Sequence, residues 1–384
     1  MKIGIITHYY NSKNYGGNLQ AYALQAFLSQ EYEAEQICFE SKGAQEKRKL
    51  KGTRSKNPFV LLQKSFSRLG KAVTSVLYKK KNKRIAPLLK TRNDAIARFN
   101  RTVVHSETVY NESTIGRALA QYDAFITGSD QVWHPSAVNS AYLLQFVQGK
   151  RKISYSASLA VSAITPAYGE TLCESLCDFQ AISVREKTGQ ALLQPLVKQP
   201  VSVTVDPVLL LDREQWENVA GTRLIEEPYV FCYFFGDNSR ARNLATAYAR
   251  KHGLQVVTLP YLTGKYRRCD DKWGDKQLFD VSPADFLSLI RYANCIFTDS
   301  FHATVFSYIF QREFFVFQRS KNGKLSSRLT DVLDVFGATE RFCNRKEKET
   351  LAYLQTVQRA VTNNARLDAL KNASKTFLRD ALGG

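Results

Sequence analysis

Short apolar runs alternate with segments of helical periodicity along most of the chain. Apolar runs of this kind are typical of parallel strands that are buried on both faces, and the intervening segments predict the helices that connect them. One series of predicted strands covers Ile3–Thr7, Ile37–Phe39, Ala124–Thr127, Ile153–Tyr155, Ala181–Val184 and Val201–Val205. A second series covers Tyr229–Phe235, Val256–Leu259, Cys295–Thr298 and Phe314–Phe317. The pattern predicts an α/β protein with two doubly wound, Rossmann-type domains that face a central cleft.

The segment Val205–Leu211 separates the two series of strands. Its proline and the change in the alternation of apolar runs and helical segments indicate that the chain crosses between domains here. We therefore predict an N-terminal domain over residues 1–205 and a C-terminal domain, which ends in helices, over residues 206–384. In such sheets, ligands bind beyond the carboxyl ends of the strands, so residues at those ends are the candidates for a site.

Most of the excess positive charge lies in one segment of the first domain. Residues 42–92 contain seventeen lysines and arginines against one acid, Glu46, in a chain of formal net charge +19. Apolar residues recur at helical spacing within it, which predicts an inserted basic amphipathic helix. The helix either packs on the domain with a solvated basic face or docks on an anionic membrane surface. The segment lacks a nucleic-acid-binding motif, so we expect no nucleic-acid partner.

Composition indicates a globular protein of a reducing compartment. Hydrophobic residues make up 44% of the chain, and the seven cysteines are scattered, mostly in apolar runs. We therefore expect reduced thiols, no zinc site and no cofactor. The N-terminal residues read as a strand rather than a signal peptide, and no early stretch approaches the ~20 apolar residues of a membrane span. We expect a cytoplasmic protein, either free or peripheral at the inner face of the cytoplasmic membrane.

A predicted strand-to-helix corner singles out His302. The apolar run Cys295–Phe297 is followed by Thr-Asp-Ser, and helical periodicity begins at Phe301. Asp299 or Ser300 can cap this helix, whose free backbone N–H groups favour an anion beside the histidine. The corner predicts a site for an anionic substrate with His302 as its reactive group. A histidine that only satisfies the turn is the alternative.

A glycine pair follows the first predicted strand. Gly16, Gly17 and Asn18 lie directly before a segment of helical periodicity. Adjacent glycines allow close approach of the backbone to a ligand, but the spacing matches neither the dinucleotide fingerprint nor the P-loop. This segment is therefore either a phosphate- or sugar-binding loop or a structural turn. We expect a structural or supporting role for the nearby His8.

Polar residues beside a tryptophan follow another predicted strand. Ser129, Asp130 and Trp133 lie in the sequence Gly-Ser-Asp-Gln-Val-Trp. A tryptophan ring can pack on the apolar face of a sugar while short polar side chains bond its hydroxyls, which predicts a carbohydrate site. A capped turn with a core tryptophan is the alternative. Ser129 lacks the downstream glycine of a hydrolase nucleophile elbow.

Arg185 directly follows the strand predicted at Ala181–Val184. A guanidinium can bind a phosphate or carboxylate through two parallel hydrogen bonds. Arg185 is thus a candidate anion ligand, and a surface pair with Glu186 is the alternative.

The order of these motifs resembles the polysaccharide pyruvyltransferase family. The resemblance extends from residue 2 to about residue 340, and the basic segment is its most distinct part. It rests on Asn14-Tyr-Gly-Gly-Asn-Leu-Gln20, Gly128-Ser-Asp-Gln-Val-Trp133, Ser183-Val-Arg-Glu186, Val205-Asp-Pro-Val208, Thr298-Asp-Ser-Phe-His302 and Ser326-Ser-Arg-Leu-Thr-Asp-Val-Leu333.

The resemblance implies a GT-B-like fold with the acceptor on the N-terminal domain and the donor on the C-terminal domain. It implies phosphoenolpyruvate as donor, a glycan acceptor from a bacterial exopolysaccharide or capsule or its lipid-linked precursor, and a pyruvate ketal as product. His302 would be the general acid and Arg185 the anion clamp, with Asp130 as a possible base for the acceptor hydroxyl. Substrate contacts are expected from Gly16, Gly17, Asn18, Ser129, Trp133, Ser300, Phe301, Lys324 and Arg328.

One departure from the family pattern concerns Ser300. Many relatives carry an arginine at this position, two residues before the histidine, so a second donor-binding cation is expected on the following loop, at Arg319, Lys324 or Arg328. The reaction of phosphoenolpyruvate suits a histidine, because this donor is an enol ether that must be protonated and an imidazole can supply the proton near neutral pH.

Two other interpretations of the sequence stay open. The protein is either a GT-B glycosyltransferase with a nucleotide-sugar donor or a non-catalytic protein at the membrane periphery.

Overall fold

The apolar runs form two parallel six-stranded sheets in the computed structural model, which describes residues 1–41, 86–261, 268–319, 327–357 and 364–383. This architecture confirms the predicted pair of α/β domains. The amphipathic helix predicted from the apolar spacing between residues 59 and 76 lies outside the described residues. The exact boundary between residues 205 and 206 stays a prediction.

The first sheet has the spatial order β2-β1-β3-β4-β5-β6. The order reverses between β1 and β3, so the loops that follow these two strands leave a crevice at their carboxyl ends. This is the position of the glycine pair and of Asp130. The strands are β1 Lys2–Ile6, β2 Glu33–Gln36, β3 Ala124–Thr127, β4 Arg151–Ala157, β5 Ala181–Val184 and β6 Val201–Val203.

The second sheet has the order β12-β11-β10-β7-β8-β9. Its order reverses between β7 and β10, and the strand-to-helix corner at His302 follows β10. The strands are β7 Tyr229–Tyr233, β8 Gln255–Thr258, β9 Lys276–Gln277, β10 Cys295–Thr298, β11 Glu313–Phe317 and β12 Phe342–Cys343.

Helices cover both faces of the two sheets in the described parts of the chain. They are α1 Tyr15–Leu28, α2 over 86–100, α3 Pro166–Leu176, α4 Lys187–Leu193, α5 Arg213–Val219, α6 Ser239–His252, α7 Pro283–Arg291, α8 Phe301–Ile309, α9 Ser327–Val335, α10 Leu351–Thr356 and α11 Ala365–Leu382. In this part of the chain, no helix combines the length and the apolarity that crossing a membrane requires. All seven cysteines are free thiols.

The prediction of a strand at Ile37–Phe39 is wrong, because β2 covers Glu33–Gln36 and ends directly before the predicted residues. As an edge strand, β2 alternates exposed and buried side chains instead of forming a continuous apolar run. Buried Ala34 faces the core, and the buried Gln36 side chain donates a hydrogen bond to the Ala21 carbonyl oxygen at 2.8 Å.

The two domains pack directly against each other. The Tyr15 hydroxyl at the start of α1 donates a hydrogen bond to the Val281 carbonyl oxygen at 2.7 Å, and its ring stacks on Phe286 of α7 at a centroid distance of 5.0 Å. The last helix, α11, returns to the first sheet, where the Val205 backbone N–H donates to the Ser374 hydroxyl at 3.0 Å. These contacts hold the carboxyl ends of both sheets around one cleft.

Candidate active site

The predicted corner at His302 is confirmed as a strand followed by a helix. Strand β10 ends at Thr298, and α8 begins at Phe301. Ser300 is the N-cap, since its hydroxyl accepts a hydrogen bond from the Ala303 backbone N–H at 3.4 Å. The other cap candidate, Asp299, instead accepts hydrogen bonds from two backbone N–H groups of the loop after β7. His302 therefore lies on the first turn of α8, at the carboxyl edge of the second sheet.

Gly16 of the first domain lies directly against the His302 ring. A Cβ atom at position 16 would lie 2.0 Å from Nδ1 of His302, far inside van der Waals contact. Asn14 caps α1 by accepting a hydrogen bond from the Gly16 backbone N–H at 3.1 Å. The glycine thus allows close approach to its backbone, as predicted. The group that approaches is the imidazole of the other domain rather than a ligand.

Asp206 connects His302 to Arg185. Its Oδ2 atom lies 3.5 Å from Nε2 of His302 and accepts a hydrogen bond from Nη1 of Arg185 at 2.6 Å. The carboxylate is fully buried. Burial raises the pKa of Asp206, but the positive charges of His302 and Arg185 more than offset this effect and hold the pKa well below its usual range. An ionised Asp206 can stabilise a protonated imidazole.

Arg185 is buried among carboxylates rather than exposed beside Glu186. Beyond Asp206, it contacts Glu186 at 3.4 Å and Asp130 at 3.7 Å, and its guanidinium lies 4.5 Å from the centroid of the Phe301 ring. Burial lowers the pKa of Arg185, but these carboxylates outweigh burial and raise it. Its Nη2 atom has no hydrogen-bond partner among the described residues.

Asp130 lies at the crevice of the first sheet. Its backbone has a φ of +65°, two residues after Gly128, whose φ is +112°. A Cβ atom at position 128 would lie 2.3 Å from the Tyr155 carbonyl oxygen, so the turn requires glycine there. Burial raises the pKa of Asp130, but the charges of Arg185, His302, His8 and Arg328 lower it overall.

Arg328 and Arg319 add two further cations. Arg328, on α9, is buried, and with the Gln131 amide turned so that its oxygen faces the guanidinium, Arg328 donates two hydrogen bonds to that oxygen at 2.8 and 3.2 Å. Burial and the charge of Arg185 lower the pKa of Arg328 to about 10. Arg319 lies 3.9 Å from the Asp299 carboxylate. The third candidate, Lys324, lies outside the described residues.

Other predicted residues lie behind the site. Ser129 is buried and donates from its hydroxyl to the Ser156 carbonyl oxygen at 2.9 Å. Trp133 is a fully buried core residue whose indole N–H donates to the Tyr142 carbonyl oxygen at 3.1 Å. Its ring has no free face for a sugar, so the alternative interpretation describes it. Gly17 and Asn18 are buried in the first turn of α1, where Asn18 donates to the Ser12 carbonyl oxygen at 3.3 Å.

Sequence reasoning missed Asp206 as a site residue. An Asp-Pro pair shortly after the last strand of a sheet is a usable signal, because proline fixes the first position of the short turn that aspartate caps. Gln131 lies within the predicted polar motif, but its contact with Arg328 joins segments far apart in sequence and is not predicted from either one.

A cavity of about 590 Å³ opens beside the buried charges. Arg185, Asp206, Phe301 and Arg328 line one side, and apolar residues of α9 and α11 line the other. The volume lies within the usual range for small-molecule sites. In the described part of the chain, no three histidine, cysteine, aspartate or glutamate side chains are grouped so that they could hold a metal ion.

Solved structures of UDP-N-acetylglucosamine 2-epimerases share the architecture. The Rickettsia bellii enzyme has a TM-score of 0.54 at 10% identity, covering 100% of this chain and 96% of that chain. The Neisseria meningitidis enzyme has a TM-score of 0.52 at 11% identity, and the Methanocaldococcus jannaschii enzyme 0.55 at 9%, with both chains covered completely in each case. At such identities the likeness shows the fold alone, which is GT-B.

A comparison of the sequence with curated proteins gave no match. A comparison with models of protein families did give one. The family model for polysaccharide pyruvyl transferase matches residues 14–321, a range that includes Gly16, Asp130, Arg185, Asp206 and His302. The chain, with these residues gathered at its cleft, belongs to the polysaccharide pyruvyl transferase family.

Proposed function

We propose that the protein transfers the pyruvyl group of phosphoenolpyruvate to a sugar of a bacterial surface polysaccharide or of its lipid-linked precursor, forming a pyruvate ketal. The position of His302 supports this proposal most directly. Its imidazole lies between Gly16 and an ionised Asp206, next to a buried cluster of arginines and acids. A histidine so held can both carry and donate a proton.

The arginines support an anionic donor. Arg185 Nη2, Arg319 Nε and Arg328 Nε are buried and have no hydrogen-bond partner among the described residues. Phosphoenolpyruvate carries a carboxylate and a phosphate, and each can accept such hydrogen bonds. The lowered pKa of Arg328 has the same implication, since a bound anion would offset the cost of burying this cation next to Arg185. The N-terminus of α8 adds a positive dipole end.

The first chemical step is a proton transfer. His302 would donate a proton to the methylene carbon of phosphoenolpyruvate, which becomes a methyl group and leaves an oxocarbenium-like centre at the adjacent carbon. Asp206, at 3.5 Å, would stabilise the imidazolium before the transfer. An acceptor hydroxyl then bonds to the cationic carbon and loses its proton.

Ring closure completes the ketal. The carbon–oxygen bond to phosphate breaks, and a second hydroxyl of the same sugar bonds to the carbon in its place. This hydroxyl passes its proton to the departing group, which leaves as hydrogen phosphate. Asp130 would accept a hydroxyl proton, since its lowered pKa keeps it ionised and Arg185 fixes it at 3.7 Å. Arg185 and Arg328 would stabilise the departing phosphate.

Incubation of the purified protein with phosphoenolpyruvate and a panel of synthetic or lipid-linked glycosides tests the proposal. We expect phosphate release together with a mass gain of roughly 70 Da on the sugar, which is one pyruvate less one water. The similar structures carry names of enzymes that act on UDP-N-acetylglucosamine, so this nucleotide sugar belongs in a parallel arm. Its turnover, with no ketal on any glycoside, would reject pyruvyl transfer in favour of a GT-B glycosyltransferase.

We also propose that the reaction occurs in the cytoplasm at the membrane surface, where a lipid-linked acceptor would be available. The support is the charge of the 42–92 segment, with seventeen basic residues and one acid. Sedimentation with anionic vesicles should occur at low salt and be lost at high salt. Unchanged sedimentation after deletion of residues 42–85 would contradict membrane docking without affecting the proposed chemistry.

A further inference from the structure

A second cavity, of about 280 Å³, lies on the first domain between the loop after β1 and helix α2. It shares none of its lining residues with the cavity beside Arg185. Its volume is slightly below the usual range for small-molecule sites, which suits one sugar unit better than a polymer. The residues that concern ligand binding are Tyr10, Lys13, Asn93, Asn100, Arg101 and His105.

The charge of this cavity has one sign. Lys13 and Arg101 are exposed at its wall, and among the described residues no aspartate or glutamate lines it. Such a lining attracts an anion, since the two cations have no carboxylate beside them in the wall. The exposed His105 can add a third donor.

Amides and a tyrosine form the rest of the polar lining. Asn100 is fixed by a hydrogen bond that its carbonyl oxygen accepts from the Tyr9 hydroxyl at 2.6 Å, while its side-chain Oδ1 is buried without a partner in the described structure. An amide with a free acceptor suits a sugar hydroxyl, and the Tyr10 ring offers an apolar surface for a sugar face.

The cavity adjoins the candidate active site through one short loop. Lys13 at its wall and Gly16 against His302 are three residues apart, so at most about 11 Å of chain separates them. The start of this loop is held, because the Asn14 backbone N–H donates to the Ser12 hydroxyl at 3.2 Å and Arg92 donates to the Lys13 carbonyl oxygen at 3.4 Å.

We infer that this cavity binds the phosphorylated end of the acceptor, a sugar phosphate or sugar diphosphate. Lys13 and Arg101 bind the phosphate, and the asparagines bind the sugar that leads toward His302. The inference deepens the proposed function, because it names a phosphorylated sugar rather than a neutral polymer as the substrate.

Calorimetric titration of the full-length protein provides a test that does not depend on turnover. The probes are glucose 1-phosphate and methyl α-glucoside, which differ in the phosphate. We expect measurable binding of the phosphate only, weakened about tenfold in both Lys13→Ala and Arg101→Ala, because each variant removes a charge-assisted hydrogen bond. Arg98→Ala is the matched control, since Arg98 is exposed on α2 but does not line the cavity.

The outcomes separate the cavity from the chemistry. Equal binding of both probes, or no weakening in either variant, would overturn the inference even if ketal formation is observed. Phosphate-dependent binding that both variants weaken would support the cavity even if no pyruvyl transfer occurs. A further arm compares glucose 1-phosphate with glucose linked through a diphosphate to a dodecyl chain. Tighter binding of the dodecyl compound would show that the acceptor is lipid-linked, and equal binding would show that it is a soluble sugar phosphate.

Discussion

Gly16 and His302 touch across the boundary between the two domains. They lie in the first turns of α1 and α8, two helices that follow the strand ends at the switch points of different sheets. The ring can lie against the backbone only because position 16 has no Cβ, which would approach Nδ1 to 2.0 Å. The glycine therefore lets the imidazole lie at a place where loops of both sheets meet.

Gly16→Ala should reduce pyruvyl transfer about 100-fold, since the methyl group must displace the His302 ring by an ångström or more. The measurement is the rate of phosphate release with phosphoenolpyruvate and an accepted glycoside. Gly116→Ala is the matched control, because a Cβ there meets no atom within 4 Å. Equal rates for the two variants would show that the contact with His302 has no role in positioning.

His302→Ala should abolish turnover, with a loss of at least about 100-fold, while phosphoenolpyruvate still binds. The physical reason is that the variant removes the proton donor but leaves Arg185 and Arg328 in place. Phosphate release and equilibrium binding of the donor together check this. The control is His252→Ala at an exposed position on α6. A rate close to that of the wild type would reject His302 as the acid.

The periodicity of the chain is sufficient to predict much of the fold. Buried parallel strands such as β3 and β10 have continuous apolar sequences, and they lie where the pattern predicts them. Edge strands are different, since β9 and β12 contain only two residues each and β2 alternates. A strand with one neighbour needs less apolar surface, so its sequence signal is weak.

The site is predicted less completely, because its contacts join residues far apart in sequence. Strand ends and turn residues identify His302, Arg185 and Asp130 one at a time. Their mutual distances depend on Asp206, which holds Arg185 at 2.6 Å and His302 at 3.5 Å and which only the packing of the two sheets brings to the cleft. A sequence also cannot distinguish a tryptophan that binds sugar from a buried one, as Trp133 shows.

Arg328→Gln should raise the KM for phosphoenolpyruvate about tenfold or more, since one charge-assisted hydrogen bond to the donor is lost. The wild-type enzyme should also bind the donor more weakly as the pH rises toward 10, because burial lowers the pKa of Arg328 to about that value. The variant should lack this part of the pH dependence. Arg345→Gln, at an exposed position, is the control. An unchanged KM would assign the donor to other cations.

Asp206→Asn should destabilise the fold by about 3–5 kcal/mol, because it leaves the buried Arg185 without its shortest ion pair. Urea unfolding near neutral pH measures the loss. Asp380→Asn, at an exposed position on α11, is the control and should change the free energy of unfolding little.

The pH dependence separates this ion pair from simple packing. The pKa of Asp206 is lowered in the folded state, so below about pH 4 the unfolded chain binds a proton that the folded chain does not. The stabilisation is therefore complete above that pH and decreases as the pH falls toward the folded-state pKa. Wild-type stability should fall with acid through this window, and Asp206→Asn should lose that part of the slope. An identical slope in both proteins would show that the carboxylate is not selectively stabilised by Arg185 and His302.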